Sequence, residues 1–170
     1  MNRLVLLCVE SNKTARTDYI YVNETIKRFY QRDRKTTIRP VFLAGKTNYN
    51  SKSVKKQISD QSNGYLGEII VIYFIDTDNY DTSYDDKMKY DEIAKYCDEN
   101  NYELVFFCRD VEEVFLGSRV TKDEKTKSAM KFVSSKGIEK VNQNNLAQKQ
   151  KKKCFSNIMI VLDKYFERSM

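Results

Sequence analysis

The clearest pattern along the chain is an unbroken apolar run, Ile69-Ile70-Val71-Ile72-Tyr73-Phe74-Ile75, which stops abruptly at Asp76-Thr77-Asp78. A run that short, rich in β-branched and aromatic residues, predicts a strand buried on both faces. Arg3–Val9 repeats the pattern and ends at Glu10. Thr37–Leu43 is a further strand, and Pro40 inside it predicts an edge position or a bend. Tyr102–Cys108 is another buried strand. Between these runs the apolar positions switch to helical spacing. Tyr19, Val22, Ile26 and Phe29 mark a helix over 18–31, Val54 and Ile58 a shorter one over 51–61, and Met88, Ile93 and Tyr96 one over 86–99. Beyond Cys108, Arg109–Gly117 reads as a helical turn, and Lys122–Ser135 is amphipathic and mostly exposed. Val141–Lys153 is polar and carries no core pattern. Phe155, Ile158, Met159, Leu162 and Phe166 form the apolar stripe of a last helix over 155–166.

Strands alternating with helices predict an α/β fold, with a mainly parallel, Rossmann-like central sheet and helices on both faces. The length fits one domain over 1–170, with a core over 3–118 and a C-terminal helical extension over 119–170. Such sheets place ligands at the carboxyl ends of their strands. Glu10, Asp76, Asp78 and the Arg109–Glu113 segment all end on that edge. Alternation along a strand puts Asp76 and Asp78 on the same side. Like charges held that close need compensation, and hard oxygen ligands favour Mg²⁺, Mn²⁺ or Ca²⁺. The alternative is an ordinary polar turn after a strand.

Composition narrows the chemistry. The chain has no histidine, which removes imidazole acid/base catalysis, His-metal sites and His-based triads. The four cysteines, Cys8, Cys97, Cys108 and Cys154, are scattered and read as reduced thiols rather than disulfides or zinc ligands. Gly45-Lys46-Thr47 resembles the end of a phosphate-binding loop, but Pro40 stands where that motif needs its first glycine, so a Walker site is rejected. The formal net charge of +6 is compatible with a polyanionic partner as well as with ordinary surface lysine. The Lys149–Lys153 segment reads either as a solvated linker or as a contact to nucleic-acid phosphates. Arg3–Val9 is too short for a signal core or a membrane span, so a cytoplasmic protein without membrane contact is expected.

A glutamate ending the first strand, followed by Asp-x-Asp ending a later one, resembles the Toprim domain of topoisomerases, primases, recombination proteins and OLD-type nucleases. Cys8-Val9-Glu10-Ser11-Asn12-Lys13-Thr14 is similar to the Glu-Gly-x-Lys-Thr opening of the RloB-like branch of bacterial defence systems. Phe107-Cys108-Arg109-Asp110-Val111-Glu112-Glu113 occupies the place of that branch's Phe-Ser-Asn-Pro-x-Phe-Glu-like segment, with Glu113 matching the glutamate. The resemblance covers roughly Leu4–Leu116. Ser11 stands where the family has glycine, Ala15 where an acid is frequent (Asp18 lies one helical turn on), and Arg109-Asp110 replaces Asn-Pro.

The resemblance implies one or two Mg²⁺ or Mn²⁺ ions held by Glu10, Asp76 and Asp78, with Glu10 either a ligand or a general acid/base. Lys13 would stabilise charge on the phosphate and Glu113 would complete the site. Lys13, Arg109, Lys151, Lys152 and Lys153 are the residues expected to meet nucleic-acid phosphates. The function so implied is a metal-dependent nuclease acting on DNA or RNA, an antiviral defence effector with a regulatory protein partner or a homodimeric form. The competing reading is a catalytically silent module that binds nucleic acid or a partner protein. A phosphatase or glycosyltransferase ranks last, because the haloacid phosphatases carry Asp-x-Asp after the first strand.

Overall fold

A computed structural model describes residues 1–170. Four strands form one sheet, β1 (Arg3–Val9), β2 (Thr36–Phe42), β3 (Glu68–Asp76) and β4 (Glu103–Phe107). Their order is β2-β1-β3-β4 and every neighbouring pair is parallel. The apolar run is therefore the interior strand β3, and the strand with Pro40 lies at an edge, where a missing backbone donor costs least. Each crossover carries a helix: α1 (Thr17–Phe29), α2 (Lys52–Ser62) and α3 (Tyr84–Glu99). The structure is an α/β fold with helices on both faces of a parallel sheet.

Strand alternation divides the core in two. Val5, Leu7, Val9, Ile70, Ile72 and Phe74 pack toward α1, whereas Leu4, Leu6, Cys8, Val71, Tyr73 and Ile75 pack toward α2 and α3. The remaining chain completes the α1 face through α4 (Val111–Leu116), α5 (Lys125–Ser134) and α6 (Ile158–Leu162). No helix is long and apolar enough to cross a membrane.

Three expectations need correction. Residues 155–157 are not helical, because they cover the open edge of β4. The Cys108 N–H donates to the Phe155 carbonyl at 3.0 Å. The Asn157 amide accepts from Phe106 N–H at 2.9 Å and donates to the Leu104 carbonyl at 3.1 Å. The polar 141–153 segment does reach the core, since Leu146 is fully buried in a 3-10 turn. Met88, expected inward on α3, is exposed, while Tyr90, Ile93 and Cys97 carry the buried face.

Candidate functional site

The chain runs from β1 outward to β2, then crosses back over β1 to β3. This order puts the topological switch point between β1 and β3, the place where open α/β sheets bind ligands beyond the strand ends. Glu10 follows β1 and Asp76 closes β3. The two meet there, and the backbone N–H of Asp76 donates to Glu10 Oε1 at 2.7 Å. From the first turn of α1, Asp18 accepts the Ser11 N–H at 3.1 Å. These acids line a cleft of about 460 Å³ together with Lys122, Lys125 and Thr126.

Burial dominates the electrostatics. Glu10 is pushed up to about 8 by burial, with the charges of Asp18 and Asp78 adding to it and Lys46 and the Asp76 N–H opposing. Burial also raises Asp76 well above the carboxylate range, helped by Glu10, Asp18 and Glu112. Asp18 is raised by burial against the opposing charge of Lys125. None of the ion pairs or side-chain hydrogen bonds reaches the Asp76 carboxylate, although the residue is only 8% exposed.

Asp78 behaves differently. β3 ends at Asp76, and Asp78 takes a left-handed turn at φ 49°, a conformation aspartate tolerates. The alternation that would have aligned it with Asp76 therefore stops. Its N–H donates to the Arg109 carbonyl at 2.9 Å, and its carboxylate pairs with Lys46 Nζ at 2.5 Å. The same ammonium donates to the Asp76 carbonyl and lies 4.0 Å from Glu10 Oε1. Lys46 is thus the compensating cation between Glu10 and Asp78. It arrives from the loop after β2, where Gly45 N–H donates to the Glu10 carbonyl at 2.9 Å. The sequence signal was Gly45-Lys46-Thr47, set aside because it fails as a Walker loop; the strand order brings it beside Glu10 all the same.

As they stand, no three His, Cys, Asp or Glu side chains are grouped closely enough to hold a metal ion. Glu10, Asp18 and Asp76 are the carboxylates that line the cleft. Mg²⁺ is commonly held by one or two carboxylates, with water and substrate phosphate completing its shell.

The other expected residues are placed as follows. Lys13 lies in an exposed turn ahead of α1, which starts at Thr17, and it does not line the cleft. Glu113 is buried and paired with Arg109 at 3.5 Å and Arg119 at 3.8 Å. Its neighbour Glu112 is fully buried and lies 3.2 Å from Lys125. The resemblance points to Glu113 and says nothing of Glu112. Lys151 sits with its ammonium 5.1, 5.1 and 5.4 Å from the rings of Tyr80, Tyr90 and Phe106, a cation–π seat rather than a free surface charge. Lys152 and Lys153 are exposed.

The fold and cleft define a class: a Rossmann-like α/β protein with an acidic, cation-flanked site at its switch point. No family model and no curated protein matches the chain. Among solved structures it is similar to a de novo designed Rossmann fold protein, at 15% identity over 76% of this chain and 96% of that one, with a TM-score of 0.29. A likeness of that size carries no argument about function.

Proposed function

We propose that the protein is a metal-dependent phosphodiesterase of the Toprim-like nuclease type, acting on DNA or RNA as a defence effector. The observation that supports it is the Asp76 carboxylate: buried at the end of the central strand, facing the cleft at the switch point, and without a protein partner. Glu10 and Asp76 would hold Mg²⁺ or Mn²⁺. Such an ion polarises a phosphodiester and makes a bound water nucleophilic near neutral pH, a role no histidine is present to fill. Glu10 is oriented by the Asp76 N–H. Lys46 ties the Asp78 turn to the end of β3 and keeps net negative charge in the cleft from accumulating.

Nucleolytic activity should require Mn²⁺ or Mg²⁺ and disappear in Glu10→Gln and in Asp76→Asn. Activity that persists in chelator, or survives both changes, would sink the proposal. Lys46 supports the second reading, a silent module in which an ammonium does the charge compensation that metal does elsewhere. That reading expects no Mn²⁺ stabilisation of the wild-type protein and no activity in any divalent cation.

A further inference from the structure

We infer that Lys125 receives an anionic group of the substrate in the cleft and that buried Glu112 positions it. The inference rests on reading the cleft as a phosphodiester site. Lys125 opens α5 and lines the same cleft as Glu10, Asp18 and Asp76. Its Nζ lies 3.2 Å from Glu112 Oε2, and the two side chains are 34% and 0% exposed. Neither Glu112 oxygen has a hydrogen-bond partner. A fully buried carboxylate is costly unless paired, and Lys125 is the one cation that pairs with it.

The Lys125 ammonium is ion-paired with Glu112 without a formed hydrogen bond and its side chain is 34% exposed, so donor capacity remains for a ligand in the cleft it lines. Burial works against the Lys125 charge, but Glu112, Asp76 and Asp110 raise its pKa, so it stays protonated. Lys46 is not placed to serve instead, because two of its three donors go to Asp78 and to the Asp76 carbonyl and it does not line the cleft. A phosphate entering beside buried carboxyl groups needs a fixed cation to receive it, and Lys125 is held in place to do so. Lys122, one turn earlier on the same wall, extends the positive side.

The test is anisotropy of short fluorescent DNA and RNA oligonucleotides in chelator at low salt, where no turnover occurs. Lys125→Met should weaken binding ~tenfold and lower the salt slope by about one, while Lys125→Arg retains both. Because Lys125→Met strands a buried carboxylate, Glu112→Gln/Lys125→Met is measured beside it and should show the same loss in a folded protein. The Mn²⁺-induced rise in melting temperature, which reports Glu10 and Asp76, should persist in the double variant. Wild-type affinity and salt slope in both Lys125→Met variants would overturn the inference. A wild-type protein without Mn²⁺ stabilisation but with the Lys125 dependence would overturn the phosphodiesterase reading and leave the anion site standing.

Discussion

At the scale of single residues, Asp76 decides the behaviour of the cleft. Its carboxylate is buried beside Glu10 and Asp18 with no cation on it, so in the absence of metal the ionised form is disfavoured. Asp76→Asn removes a like charge from this group and should stabilise the metal-free protein by ~1 kcal/mol, or about 3 °C in Tm for a chain of this size. The pH dependence follows from the sign of the shifts. Glu10 and Asp76 have folded-state pKa values above their unfolded ones, so the folded protein binds the protons more tightly. Stability is greatest in mild acid and falls as the pH rises toward the Glu10 value of about 8. Thermal melts across that range should therefore show the largest gain from Asp76→Asn at the alkaline end. Adding Mn²⁺ should raise the wild-type melting temperature and leave the variant unmoved, since stabilisation follows ligand binding to the folded state. A variant that loses stability at every pH would make Asp76 a structural acceptor instead.

At the scale of elements, both edges of the sheet are closed by a side-chain amide. Gln57 on α2 accepts from Phe42 N–H at 3.1 Å and donates to the Phe42 carbonyl at 2.9 Å, while Asn157 does the same service on β4. Each amide stands in for a missing strand and hides the unpaired ladder groups that invite edge-to-edge association. Asn157→Ala leaves the part-buried Phe106 N–H unpaired and should cost ~1–3 kcal/mol by chemical denaturation. Asn157→Asp keeps the acceptor, loses the donor to Leu104, and should cost less. Equal effects of the two changes would refute the strand-mimic role. These edges also mark where sequence reading stops. Short apolar runs made all four strands legible, most clearly β3, and 3.6-residue spacing gave α1, α2 and α3. Ser156-Asn157 interrupts the apolar stripe of 155–166 with two residues whose side chains compete for backbone groups, and here that competition wins. Leu146 is a lone apolar residue in a polar segment, so no period announces it. In the site, Glu10 and Asp76 were legible because each ends an apolar run. Lys46, Glu112 and Lys125 were not, because their roles depend on strand order, on the phase of a six-residue helix and on a helix that only folding brings to the cleft.

At the scale of the whole molecule, residues 119–170 complete the fold rather than extend it. α2 and α3 cover one face of the sheet, whereas α1 and α4 alone cannot cover the other. Phe132 packs tilted against Tyr21 at 5.0 Å and edge-on against Phe115 at 5.9 Å, and Ala129, Ile138, Leu146, Ile158 and Leu162 are buried in the same core. The far end is tied back as well: Gln31 N–H donates to the Glu167 carbonyl and Ser169 N–H to the Phe29 carbonyl, each at 2.9 Å. Removing the segment would expose several large side chains, each worth ~1.5–3 kcal/mol of burial, more than the whole stability of an average domain. A chain ending at Gly117 should therefore show no cooperative unfolding transition, whereas the full chain should melt in one step with coincident circular dichroism and tyrosine fluorescence signals. The same truncation takes away Lys122 and Lys125, so the cleft loses its positive wall together with the core that supports it. A 1–117 chain that unfolds cooperatively near the full-length temperature would show that the last third is an appendage, and that the cleft's acidic side is built without it.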